Sequence, residues 1–194
     1  ASGHLNSVSG DNRQSNLLFQ NNGLGNYTDI TKISGIFDLG KRIHRSALFA
    51  DFDNDGRVDI YVTVNGQQIE DGKGNIINDE NQGKGILFQN KSSESNNWLK
   101  VRLEGTQSNR DGYGTFVIVE TNEVKQKKSL SSGEGYFGNN AQEIYFGLGK
   151  AKYIDKIEIY WPSGIKESYK SIKCNQTIYI VENKSLYKNT LVLR

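Results

Sequence analysis

Proline occurs once in 194 residues, at Pro162, cysteine once, at Cys174, and methionine not at all. A single cysteine excludes an internal disulfide, so the fold rests on its core and on any ion it binds. Cys174 stands just before an apolar run and reads as a buried thiol rather than a reactive one. The two histidines, His4 and His44, are too few and too scattered for a histidine-rich zinc centre. No apolar run approaches the roughly 20 residues of a membrane-spanning helix, which argues against membrane insertion. No charged-then-apolar leader opens the sequence, and Ala1 reads as the start of a processed or trimmed chain. Twenty-four basic residues against 22 acidic ones leave a net charge of +2, too little to make an electrostatic case for nucleic acid. The most basic run, Lys125–Lys128, reads as a solvated strand face. Asn-x-Ser/Thr triplets begin at Asn26, Asn90, Asn175 and Asn183, as chance allows in a chain this rich in Asn and Ser.

What is present is glycine, 21 residues of it, punctuating short β-rich runs. Helical periodicity is hard to find, and the class is all-β. From Trp98 to Glu104, Leu99, Val101 and Leu103 fall on one face and Lys100, Arg102 and Glu104 on the other, as a half-buried strand requires. Lys156–Trp161 repeats the design with Ile157 and Ile159 facing in, and Thr115–Glu120, Glu143–Phe146 and Thr177–Val181 read as further strands. A weak internal repeat marks the first half: Asn16-Leu-Leu-Phe-Gln-Asn21 recurs as Gly85-Ile-Leu-Phe-Gln-Asn90. Residues 65–84 carry no strand pattern and read as a long exposed loop. The polar stretch 91–97 marks a boundary, giving domains over 1–96 and 97–182 and a tail or added strand over 183–194.

The chemistry concentrates in Asp51-Phe-Asp53-Asn-Asp55-Gly56-Arg57-Val-Asp59, with carboxylates at positions 1, 3, 5 and 9. Ca²⁺ takes six to eight hard oxygen ligands, and a tight loop with alternating acids folds them inward. Gly56 permits a positive-φ turn that lets the Arg57 carbonyl supply a backbone oxygen. The expected ligands are therefore Asp51, Asp53, Asp55, Arg57 through its carbonyl, and Asp59. Four carboxylates in nine residues repel one another without a cation, so the loop reads as sensible only when metallated. An EF-hand is excluded, because its position-12 glutamate is here Val62 and the flanking segments are strand-like. The bland alternative is an Asp/Asn/Gly turn that binds nothing.

These residues also carry a resemblance. Asp51–Asp59 with its flanking strands and the Leu-Phe-Gln-Asn elements resembles the FG-GAP/VCBS repeat of integrin-α-like β-propellers, in which such a loop binds calcium. Further on, Asn97-Trp-Leu-Lys-Val-Arg-Leu-Glu-Gly105, Ser108-Asn-Arg-Asp-Gly-Tyr-Gly114, Gly133-Glu-Gly-Tyr136, Phe146-Gly-Leu-Gly149 and Trp161-Pro-Ser-Gly164 follow in order. That series is similar to the ASPIC/UnbV domain, which follows VCBS repeats in cartilage-acidic-protein-like proteins. Thr115-Phe116 stands where Ala-Arg is expected, and Phe137-Gly138 where Leu-Ser is expected. The resemblance implies a partial propeller-like repeat unit followed by an antiparallel sandwich or barrel-like domain. Gly112, Gly114, Gly133, Gly135, Gly147 and Gly149 read as turn or close-approach positions. Asn109 and Asp111 offer either a second ligand pair or an Asx-turn, and Tyr113, Tyr136 and Phe137 either an aromatic platform or core packing.

A propeller closes with several blades, and about one and a half repeat units are visible here. Open sheet edges invite a protein partner or self-association. The expectation is a secreted or cell-surface calcium-binding interaction or assembly module without catalysis. A glycan-binding module using Trp98, Tyr136 or Trp161 is the alternative, and a hydrolase accessory domain the remaining one. No serine–histidine pair, zinc cluster or phosphate loop is recognisable, which argues against an enzyme.

Overall fold

The computed structural model describes residues 14–36, 42–65, 69–70, 73–77, 83–93, 96–122, 124–136, 138–184 and 186–188. His4 and Phe137 lie outside them. Among the described residues there is no α-helix, and no helix is long and apolar enough to cross a membrane. The chain divides into two compact units. One comprises Ala1–Phe49, Asp59–Gln89 and Gly135–Gly138, the other Ala50–Val58, Asn90–Glu134 and Asn139–Arg194.

In the first unit, β1 (Phe19–Asn21) and β2 (Tyr27–Asp29) form an antiparallel ribbon. Strands β3 (His44–Ala50), β4 (Asp59–Val64) and β7 (Ile86–Phe88) make a three-stranded sheet in that order. The repeated Leu-Phe-Gln-Asn elements thus take different partners, Phe19 opposite Asp29 and Phe88 opposite Ile60. The expected loop over 65–84 contains a second ribbon, β5 (Ile69–Glu70) with β6 (Ile76–Ile77). Two-residue strands are too short to leave an alternation, so only the isoleucines around Gly74 signal them. Buried apolar side chains are sparse here, chiefly Ile36, Ile43 and Val62. Leu17, Phe19, Leu24, Tyr27, Ile33 and Leu87 are exposed, Leu24 and Ile33 by more than four-fifths (84% and 86%).

The second unit is a β-sandwich. One sheet runs β10 (Lys125–Ser129), β9 (Phe116–Glu120), β12 (Tyr153–Tyr160), β13 (Lys166–Lys173). The other runs β11 (Ile144–Gly147), β8 (Trp98–Glu104), β14 (Gln176–Val181), β15 (Leu186–Lys188). Alternate residues of both sheets share one core: Leu99 and Val101, Val117 and Val119, Ile144 and Phe146, Ile157 and Ile159, Ile178 and Ile180. Period-2 alternation produces this, since successive side chains of a strand leave on opposite faces. No barrel closes among the described residues. The second sheet is mixed rather than antiparallel, because β14 runs parallel to β8. Strands β10 and β13 are lysine-rich edges, which discourages edge-to-edge pairing. Strand β13 left little alternation to read, as Ile172 is its one fully buried residue. Within 183–194 an added strand, β15, pairs with β14, and residues 189–194 lie outside the described set.

Two expectations are corrected. Gly147 needs neither a positive φ nor a close approach, being an ordinary strand residue opposite Trp98. Lys100, expected to face solvent with Arg102, is 1% exposed. The segment Ala50–Val58 belongs to the same unit and provides its partners, so β8 is buried on both faces at this point.

Candidate metal centre

Local hydrogen bonding explains the shape of the loop. Asp51 Oδ1 accepts from the Asp55 amide at 3.0 Å, and its Oδ2 from the Gly56 amide at 3.1 Å. Asn54 and Gly56 take positive φ values of 58° and 87°, the first tolerated by Asn and the second natural to Gly. Gly56 also has no room for a side chain, since an added Cβ would sit 2.0 Å from the Trp98 indole nitrogen. Asn90, the last residue of the second Leu-Phe-Gln-Asn copy, clamps the far end. Its side-chain Nδ2 donates to the Val58 carbonyl at 3.2 Å, and its backbone carbonyl accepts from Arg57 Nε at 2.8 Å.

Carboxylate oxygens of Asp51, Asp53 and Asp59 lie within 4.8 Å of one another. Calcium–oxygen distances are about 2.3–2.6 Å, so ligands on opposite sides of one ion stand about 5 Å apart. All three can therefore touch a single cation. The donors are hard oxygens with no sulfur or imidazole, a set suited to calcium rather than zinc. Asp55 stands apart, with its carboxylate accepting from the Arg57 amide at 2.8 Å and pairing with the Arg57 guanidinium.

Cations also stand among these acids, Arg57 within the loop and Lys100 from β8. Lys100 Nζ lies 3.0 Å from Asp51 Oδ2, donates to Asn54 Oδ1 at 2.9 Å and stands 3.9 Å from Glu143 Oε2. Tyr145 joins this cluster. Its hydroxyl donates to Glu143 and accepts from the Asp51 amide at 3.2 Å, and burial beside these carboxylates pushes its pKa above the ordinary tyrosine range. Arg102 pairs with Glu143 from the outer side. Lys100, Glu143 and Tyr145 were not legible as site residues, because their strands gave no sign of what covers them.

A family model described as an FG-GAP-like repeat matches residues 2–62, and one described as ASPIC and UnbV matches residues 105–186. The two matches fall in the order the sequence motifs resemble, an FG-GAP-like repeat and then an ASPIC/UnbV domain. No curated protein matches it.

Two of the ASPIC/UnbV-like motifs close turns. Asn109 bridges its own loop, with Oδ1 accepting from the Tyr113 amide at 3.0 Å and Nδ2 donating to the Tyr113 carbonyl at 2.7 Å, an Asx-type closure. Trp161-Pro-Ser-Gly164 is a turn closed from Gly164 N to the Trp161 carbonyl at 2.9 Å. Trp161 is buried and its indole donates to Glu167 at 2.6 Å, so it cannot serve as a glycan platform. Trp98 packs on Gly56, while Tyr136 is exposed. Phe116, at a departure from the family pattern, stacks on Tyr160 with centroids 4.4 Å apart and Lys127 over its other face. The fixed point of the ASPIC/UnbV domain is Glu182, which sequence reading missed. Its Oε2 accepts the amides of Thr106, Gln107 and Ser108, each at 2.7 Å, and its Oε1 accepts the hydroxyls of Ser108 and Ser163. Burial works to raise its pKa, but these donors prevail and lower it to about 2.

Proposed function

We propose that this chain is a calcium-stabilised, non-catalytic interaction module of the extracellular space or cell surface. FG-GAP-like repeats are typical of such proteins. The observation that carries the reading is the convergence of Asp51, Asp53 and Asp59 within the reach of one ion. Asp55 and the Arg57 carbonyl complete the ligand set, Asp55 by exchanging its Arg57 partner for the ion. When bound, calcium supplies charge neutralisation and fixes the loop. At a calcium concentration tenfold to a hundredfold above Kd it adds about 1.4–2.7 kcal/mol to stability. Melting in EDTA and in calcium tests the reading: calcium raises Tm of the wild-type chain and leaves Asp53→Ala unmoved. Superimposable wild-type curves would refute it.

The exposed apolar side chains of the first unit, Leu17, Phe19, Leu24, Tyr27 and Leu87, support a protein partner or a second copy as the binding target. Light scattering across micromolar concentrations tests self-association, and a strict monomer would exclude a second copy.

A further inference from the structure

Lys100 is the one lysine of the described core that is fully buried, and its position determines more than packing. A desolvated ammonium is costly unless partners surround it. Here Asp51 at 3.0 Å, Asn54 at 2.9 Å and Glu143 at 3.9 Å do so, with the Tyr145 ring centroid at 5.7 Å. Two of these partners belong to the metal loop, and Asp51 is itself a proposed ligand.

We infer that Lys100 is an internal counter-ion that holds the loop folded without calcium and weakens calcium binding by competing for Asp51. The inference rests on the calcium reading of the site. Its physical basis is simple. The ammonium touches the oxygen of a carboxylate that must also face a divalent ion, and like charges this close, shielded from water, repel strongly. At the same time Lys100 ties Asn54, the residue at φ 58°, to β8 of the sandwich, so the loop keeps its turn whether or not an ion is bound. Calcium therefore adds to a loop that is already formed, and the site is tuned to a high ambient calcium level.

Calcium titration by isothermal calorimetry on the full chain tests this, comparing wild type with Lys100→Met and Lys100→Gln. Methionine removes the charge and the donors, whereas glutamine, one atom shorter, removes the charge and keeps an amide donor. Both variants bind calcium at least tenfold more tightly, a change of about 1.4 kcal/mol or more. Both also show a larger rise in Tm on calcium addition. If Lys100→Met unfolds without calcium and refolds when it is added, as followed by circular dichroism, the inference holds equally. Binding by all three chains with equal affinity, or weaker binding by Lys100→Gln, would overturn it while leaving the calcium site intact. Absence of binding by every form would overturn the calcium reading and this inference with it.

Discussion

Replacing Glu182 removes the acceptor for three backbone amides and two hydroxyls at once. In Glu182→Ala the amides of Thr106, Gln107 and Ser108 lose an oxygen 2.7 Å away. A hydrogen bond to a charged acceptor contributes about 1.5–3 kcal/mol. Because the three share one network they do not add fully, and about 4 kcal/mol is expected in total. For a domain of this size that lowers Tm by on the order of 20 °C. Glu182→Gln keeps one acceptor oxygen and turns the other into a donor, losing charge assistance, and costs about 1.5 kcal/mol. The pH dependence has a definite sign. The folded pKa is lowered from 4.5 to about 2, so the stabilisation is full above pH 4.5 and lost as pH falls from there towards 2. Urea unfolding followed by tryptophan fluorescence reports on this unit, which contains both Trp98 and the buried Trp161. The gap between wild type and Glu182→Gln narrows over that acid window. A Glu182→Gln protein as stable as wild type at pH 7, with the same acid profile, would refute the reasoning.

Gly56→Ala combines a backbone at φ 87° with a collision against Trp98, and a loss of about 2–3 kcal/mol is expected. Near-ultraviolet circular dichroism should show Trp98 displaced, and an unchanged spectrum and Tm would contradict the packing. Phe146→Ala, in the sandwich core at 1% exposure, should cost about 3–5 kcal/mol in denaturant unfolding. Tyr145→Phe removes the hydroxyl shared by the Asp51 amide and Glu143 and should cost about 1–2 kcal/mol by the same assay.

The sandwich strands with alternating apolar residues were legible because their periodicity is fixed by one buried face, as in β8, β9 and β12. Strand β10 was legible only as a basic run on a solvated strand face, and β13 was missed, since an edge that carries lysines on its solvent side obeys no hydrophobic pattern. The acidic loop announced itself through spacing alone, and so did the turn at Gly56. Lys100 did not, because a lysine alternating with apolar residues looks solvent-facing until a segment some fifty residues earlier in the chain is laid over it. Glu182 was hidden for a related reason. Its partners, the amides of 106–108 and the hydroxyl of Ser163, are distant in sequence, and backbone donors leave no mark on composition.

Terbium luminescence tests the metal centre most directly, because Trp98 packs on Gly56 inside the loop and can sensitise a lanthanide bound there. Excitation of tryptophan should give terbium emission from the wild-type chain that calcium displaces, that falls sharply in Trp98→Phe and that disappears in Asp53→Ala. Emission that persists undiminished in Asp53→Ala, or its absence from the wild-type protein, would contradict the assignment of an ion to Asp51, Asp53 and Asp59.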